Sequence, residues 1–178
     1  MIAKAKRALD PVTKKALQQD QQYFVVVRDE GFEKPWDERT SVEWLKIQLE
    51  DRLVFLHSVK KNPTKGMVGY WGNLFGGLDI AMIANGAYKV RLNAVDPRSA
   101  RWVCDLDAEG KLVDGVLIAE DPEIEGWQVT VHRVGAGLIV KETAKPNTKT
   151  DGYSPYCGMN GTVEGTYFPL TRSKMTGK

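Results

Sequence analysis

The spacing of apolar residues predicts two helices in the first third of the chain. Asp10 followed by Pro11 indicates a helix start, because the aspartate side chain accepts free amide hydrogens of the first turn and proline has none to donate. From residue 10 to about residue 30, apolar side chains recur at helical spacing. The predicted buried stripe consists of Val12, Ala16, Tyr23 and Val27, with Leu17 and Phe24 beside them. Gly31 predicts the end of this helix.

A second helix is predicted to begin after Thr40. The segment Thr40-Ser41-Val42-Glu43 fits a capping box, in which the threonine oxygen and the glutamate side chain satisfy free amides reciprocally. Its predicted buried stripe consists of Val42, Leu45, Leu49, Leu53 and Leu56. Two such helices favour an antiparallel helical hairpin, which we assign to residues 1–62.

Beyond residue 65 the period changes from helical to two. Apolar and polar residues alternate over residues 78–84 and 88–92, on either side of Asn85-Gly86, a pair that favours a type I′ hairpin turn. Five more strands are predicted at 101–106, 112–119, 127–134, 138–142 and 162–168. A turn is predicted from Asp107 to Lys111, at Gly110. The pattern predicts an antiparallel β barrel or sandwich over residues 66–170, a flexible tail at 171–178, and hence an α+β fold.

Composition agrees with helices first and strands after them. Of the 17 glycines, only Gly31 lies before Lys65, and β-branched residues are frequent in the rest of the chain. The formal net charge of +2 is too small to indicate a nucleic-acid partner. No apolar run approaches the roughly 20 residues of a membrane-spanning helix, so we expect no integral membrane segment.

No motif in the chain predicts catalysis. His57 ends a predicted helix and His132 lies within a predicted strand, and neither has a cysteine, histidine or carboxylate at metal-ligand spacing. The chain has no G-x-S-x-G nucleophile motif. Residues 69–77 lack the ending of a phosphate-binding loop, which favours a glycine-rich crossover whose aromatic residues close the barrel end. We therefore predict a non-enzymatic protein without catalytic residues, metal or cofactor.

The two cysteines leave two interpretations open. Cys104 lies in a predicted strand and Cys157 in the late Tyr156-Cys157-Gly158 segment. A disulfide between them would tie the final segment to the barrel and stabilise it. Two independent buried thiols would instead fit a reducing cytoplasm. The residues alone favour neither interpretation.

The helical region resembles the LprI-like lysozyme-inhibitor family of small exported bacterial proteins. The resemblance covers residues 3–58 and rests on Ala8-Leu9-Asp10, Leu17-Gln18-Gln19-Asp20-Gln21, Val27-Arg28-Asp29, Leu49-Glu50-Asp51-Arg52-Leu53 and Leu56. The segment from Tyr156-Cys157-Gly158 to Gly165-Thr166-Tyr167 is similar to the end of the family's β domain. The family commonly has a cysteine after the Arg-Asp pair, where this chain has Glu30-Gly31-Phe32.

The resemblance implies a periplasmic or otherwise exported protein that binds lysozyme, and it favours the Cys104–Cys157 disulfide. The chain shows no signal peptide, so we expect a mature sequence with an added methionine or, alternatively, a cytoplasmic protein. An inhibitor would insert a rigid turn into the enzyme's cleft. Asn85, Tyr88 and Lys89 are therefore the predicted partner-binding residues, although an ordinary hairpin with Tyr88 in the core fits the same pattern.

Two other functions fit the sequence. The first is an immunity or assembly protein that binds another secreted bacterial protein through the same surface. The second is a hydrolase or small-ligand β barrel with a tryptophan-lined mouth, which would require a deep polar pocket that contains His132.

Overall fold

The computed structural model describes residues 9–35, 37–60, 65–150 and 152–172, which form a helical hairpin followed by a β barrel. The helices are α1 (Pro11–Glu33) and α2 (Ser41–Ser58). The strands are β1 (Gly69–Gly72), β2 (Gly76–Met82), β3 (Tyr88–Val95), β4 (Val103–Val113), β5 (Val116–Glu120), β6 (Trp127–Val134), β7 (Gly137–Ala144) and β8 (Gly165–Leu170). The predicted α+β class is confirmed. None of the described helices has the length and apolar character needed to cross a bilayer.

The eight strands form a closed up-and-down barrel. Each strand pairs antiparallel with its neighbours in the sequence, and β8 pairs with β1. Alternate side chains fill the interior: Trp71, Leu78, Ile80, Val90, Leu92, Ala94, Cys104, Leu106, Ala108, Leu117, Ala119, Val129, Val131, Leu138, Val140 and Tyr167. An eight-stranded barrel is just wide enough for its own side chains, so this interior is a packed core.

Two predictions about the strands were wrong. Residues 69–72 form β1, where the sequence predicted a crossover, and Trp71 of this strand is buried in the barrel. The predicted turn from Asp107 to Lys111 is absent, because β4 runs on to Val113. The chain turns instead at Asp114-Gly115, which interrupts the strand predicted at residues 112–119. Gly110 lies within the strand, and glycine is needed there because a Cβ would meet the β5 backbone at Ile118. The Asn85-Gly86 hairpin is confirmed, and both residues have the positive φ of a type I′ turn.

The predicted helical hairpin is confirmed, but α2 buries a different face. Trp44, Arg52 and Leu56 are buried, whereas Val42 and Leu49 of the predicted stripe are exposed. Trp44 packs against Gly31, where a Cβ would overlap the indole ring. Glycine at position 31 therefore makes room for the indole. It does not end the helix as predicted, because α1 continues to Glu33.

Four further sequence predictions concern the helices and the ends of the two parts. Val12 of the predicted α1 stripe is exposed. The capping box at Thr40 is present. The predicted domain join falls mainly on residues 61–64, and most of the predicted tail on residues 173–178, both outside the described residues. Thr171 is described and donates its amide hydrogen to the Ser58 carbonyl oxygen at 2.7 Å.

The helical hairpin formed by α1 and α2 lies on the outer face of the barrel at β8. Leu17 and Leu56 pack with Phe168 and Leu170 of β8 in a second apolar cluster. At the start of α1, the Asp10 carboxylate accepts the amide hydrogens of Val12 at 3.0 Å and, from the β6–β7 turn, of Ala136 at 2.7 Å. The helix cap therefore also joins the helix to the barrel.

The shared Asp10 cap predicts a pH dependence of stability. Burial raises the pKa of Asp10, but hydrogen bonds from Thr13, Ala136 and Val12 outweigh this effect and lower it to about 2. A lowered pKa contributes stability that is fully present above the unfolded-state pKa and is lost as the pH falls through the folded-state pKa. Asp10→Asn keeps an acceptor oxygen but does not titrate. Between about pH 5 and about pH 2, urea unfolding should therefore show a larger loss of stability for wild type than for Asp10→Asn. Parallel pH profiles for the two proteins would contradict this assignment.

Candidate partner-binding surface

The two ends of the barrel are built differently. The connections β1–β2, β3–β4, β5–β6 and β7–β8 lie at one end, which we call the closed end. The turns β2–β3, β4–β5 and β6–β7 lie at the other, which we call the hairpin end. The described residues between β7 and β8, 145–150 and 152–164, cover the closed end and place Tyr156 and Val163 in the barrel core. Burial, with Asp121 and two glutamates nearby, raises the pKa of Tyr156 to about 12, so this phenol stays neutral.

A disulfide fastens the covering segment. Cys104, near the start of β4, is bonded to Cys157, which agrees with the pairing that the family resemblance implied. Backbone hydrogen bonds lie on both sides of the bridge, from Asp105 N to Tyr156 O at 2.9 Å and from Gly158 N to Val103 O at 3.0 Å. The covering segment is thus held both covalently and by main-chain pairing.

The hairpin end exposes apolar side chains on two neighbouring turns. Met82 and Ile83 end the β2 side of one hairpin and are 62% and 36% exposed. Leu112 and Val113 end the β4 side of the next hairpin and are 49% and 50% exposed. The two hairpins are adjacent, because Tyr88 of β3 pairs with Met82 on one side and with Gly110 on the other. We call Met82, Ile83, Leu112 and Val113 the tip patch.

The three predicted partner-binding residues lie beside this patch in different environments. Asn85 is exposed at the hairpin turn, with φ of 59°. Tyr88 is half-buried and packs against the barrel core. Lys89 forms ion pairs with Asp107 and with Glu109 on β4, and the hydrogen bond to Asp107 is the main cause of its raised pKa. The lysine is therefore engaged within the barrel wall.

Sequence reasoning missed the four residues of the tip patch, two of which continue an inward-facing apolar series. Met82 continues the inward-facing series of Leu78 and Ile80, and Leu112 continues that of Leu106 and Ala108. Both side chains lie beyond the last layer that the barrel encloses, so they face solvent. The useful signal is an inward-facing apolar series that extends to a hairpin turn.

The candidate chemical residues do not come together. His132 follows the buried Val131 on β6 and so lies on the outer side of the barrel wall, while His57 is exposed on α2. Among the described residues, no group of three or more histidine, cysteine, aspartate or glutamate side chains is placed to hold a metal ion. Neither histidine lies in the packed core.

Comparison of the chain with protein-family models, with curated proteins and with solved structures finds no match in any of the three. The resemblance to the LprI-like family is therefore a prediction from the quoted motifs.

Proposed function

We propose that the protein is a non-enzymatic, exported binding protein that inhibits lysozyme through its hairpin end. The observation that carries the proposal is the tip patch, where four apolar side chains are exposed on two adjacent hairpin turns. Clustered exposed apolar side chains mark protein-binding surfaces, whereas single ones are ordinary. The family resemblance suggests lysozyme as the partner, and the tip patch suggests which surface binds it.

The rigidity of the barrel supports an inhibitory role. Closed strand pairing, a side-chain-filled interior and the Cys104–Cys157 bridge hold the hairpins before any partner binds. Binding by an ordered turn loses little conformational entropy, which increases affinity. Asn85, in the β2–β3 turn, adds side-chain hydrogen-bonding groups beside the apolar patch.

The cysteine pair supports export. Disulfides form and persist mainly in oxidising compartments such as the bacterial periplasm, and the cytoplasm keeps thiols reduced. The packed interior weighs against the small-ligand barrel considered above, because side chains occupy the space that a ligand would need. An immunity or assembly protein would use the same tip patch on another secreted partner.

The proposal predicts that substitution of Leu112 impairs inhibition. Leu112→Asp places a charge in the patch at a half-exposed site, so the fold should persist. We expect about 30-fold weaker inhibition, which corresponds to the loss of one hot-spot contact of about 2 kcal/mol. The measurement is lysozyme activity on bacterial cell walls, titrated with the oxidised protein.

Val103→Asp is the matched control. Val103 lies on the same strand, is 59% exposed and sits at the closed end. Val103→Asp should inhibit as wild type does, and wild-type inhibition should reach its plateau at one protein per enzyme. Absence of inhibition by wild type would overturn lysozyme as the partner. Equal inhibition by Leu112→Asp and Val103→Asp would overturn the tip patch as the surface.

A further inference from the structure

Two neighbouring cavities lie between α2 and the barrel, away from the hairpin end. Their volumes are about 440 and about 860 Å³, within the range of small-molecule sites. The two cavities share Asp51, Phe55, Asn73 and Leu74. The smaller one also reaches Arg52 of α2 and the β3–β4 connection at Asp96 and Pro97. These cavities play no part in the proposed lysozyme-binding surface.

Arg52 is a buried charged group at the smaller cavity. Its side chain is 4% exposed. Nη1 donates to Asp20 Oδ2 at 2.7 Å, and Nε donates to Gln21 Oε1 at 2.9 Å. The rings of Phe24 and Phe55 lie near the guanidinium, with their centroids 5.1 and 4.7 Å from its central carbon.

The third nitrogen of this guanidinium, Nη2, is buried and donates to no protein acceptor. A buried donor without an acceptor is destabilising, and more so on a charged group. The positive charge itself is already balanced, because Asp20 is only 11% exposed and pairs with Nη1. What the site lacks is therefore an acceptor oxygen and not a negative charge.

We propose that the smaller cavity binds a small neutral ligand with an apolar body and a carbonyl oxygen, such as an amide or ketone, which accepts a hydrogen bond from Arg52 Nη2. The walls provided by Phe24, Ile47 and Leu74 suit the apolar body. Asp51 and Asp96 line the cavity together with Arg39 and Arg52, so the formal charges of the lining balance and the cavity suits a neutral ligand.

Phe55 is the wall that must move. Its ring lies over the guanidinium, the residue is half-buried, and it lines both cavities. Because Nη2 is buried, the proposed ligand must displace a side chain of the cavity wall, and Phe55 is the wall residue with the larger cavity beside it to move into. Ligand binding should therefore change the environment of Phe55 while the Arg52–Asp20 pair stays in place.

The test uses acetanilide, which joins a phenyl ring to an amide carbonyl. Isothermal titration of the full chain should give saturable binding. N-ethylaniline, which lacks the carbonyl oxygen, and phenylacetate, which is an anion, should each bind at least about tenfold more weakly. Equal binding of acetanilide and N-ethylaniline, or no saturable acetanilide binding, would overturn the proposal.

A pair of variants locates the site. Ile47→Trp fills the smaller cavity from α2 and should weaken acetanilide binding at least about tenfold. Leu53→Trp adds the same side chain to α2 at a 39% exposed position that lines neither cavity, and should bind as wild type does. Unchanged binding by Ile47→Trp would refute the site. Leu112→Asp should bind acetanilide normally, so this test is separate from that of lysozyme inhibition.

Discussion

Reduction of the Cys104–Cys157 disulfide is expected to lower the free energy of unfolding by about 4 kcal/mol. The bridge joins cysteines 53 positions apart, so it removes many conformations from the unfolded chain. It also fastens the segment that places Tyr156 and Val163 in the core at the closed end. Because domains of this size are stable by about 5–15 kcal/mol, the expected loss is a large part of the total.

Urea unfolding with and without a reducing agent measures this loss. Cys104→Ala/Cys157→Ala is the matched control, because it lacks the bridge and should not respond to the reductant. The oxidised wild type should show no free thiol when it is denatured. Two free thiols, or equal unfolding midpoints with and without reductant, would contradict the bridge and support the cytoplasmic alternative.

Removal of Asp20 is expected to cost about 3–5 kcal/mol, because it leaves the Arg52 guanidinium buried and uncompensated. The two side chains are 11% and 4% exposed, so water cannot replace the lost partner. Asp20 also accepts the amide hydrogen of Leu74 at 3.0 Å through its second oxygen. Asp20→Ala therefore removes two hydrogen-bonded contacts of α1, one with Arg52 of α2 and one with Leu74 of the β1–β2 turn.

Chemical unfolding of Asp20→Ala and of Glu50→Ala tests this expectation. Glu50 pairs with Lys46 on the exposed side of α2, where both side chains are more than half exposed, so its removal should have little effect. The double variant Asp20→Ala/Arg52→Leu should recover part of the lost stability, since it removes the unpaired charge. Equal stability of Asp20→Ala and Glu50→Ala would show that the Asp20–Arg52 pair does not stabilise the helical hairpin.

Features set by neighbouring residues could be predicted from the sequence. The caps at Asp10 and Thr40 each act on amides within three residues, so the local motif was sufficient. The Asn85-Gly86 turn needs only residues that tolerate positive φ. The strand period then predicted the antiparallel β domain, because each strand joins its neighbour in the chain.

Features set by distant residues could not be predicted in this way. The buried face of α2 depends on the contact of Trp44 with Gly31 and on the pairing of Arg52 with Asp20, 32 positions away. The continuation of β4 through Gly110 depends on the close approach of β5. The exposure of Leu112 depends on where the closed barrel ends. The alternation of residues along one strand does not indicate where that end lies.

The most direct test of the binding proposal is a hydrogen-exchange footprint of the oxidised protein mixed with lysozyme. We expect slower amide exchange at residues 82–87 and 112–116, with unchanged exchange around Val103 and in α2. Protection confined to the helical hairpin, or no protection anywhere, would contradict the claim that the hairpin end of the barrel is the partner-binding surface.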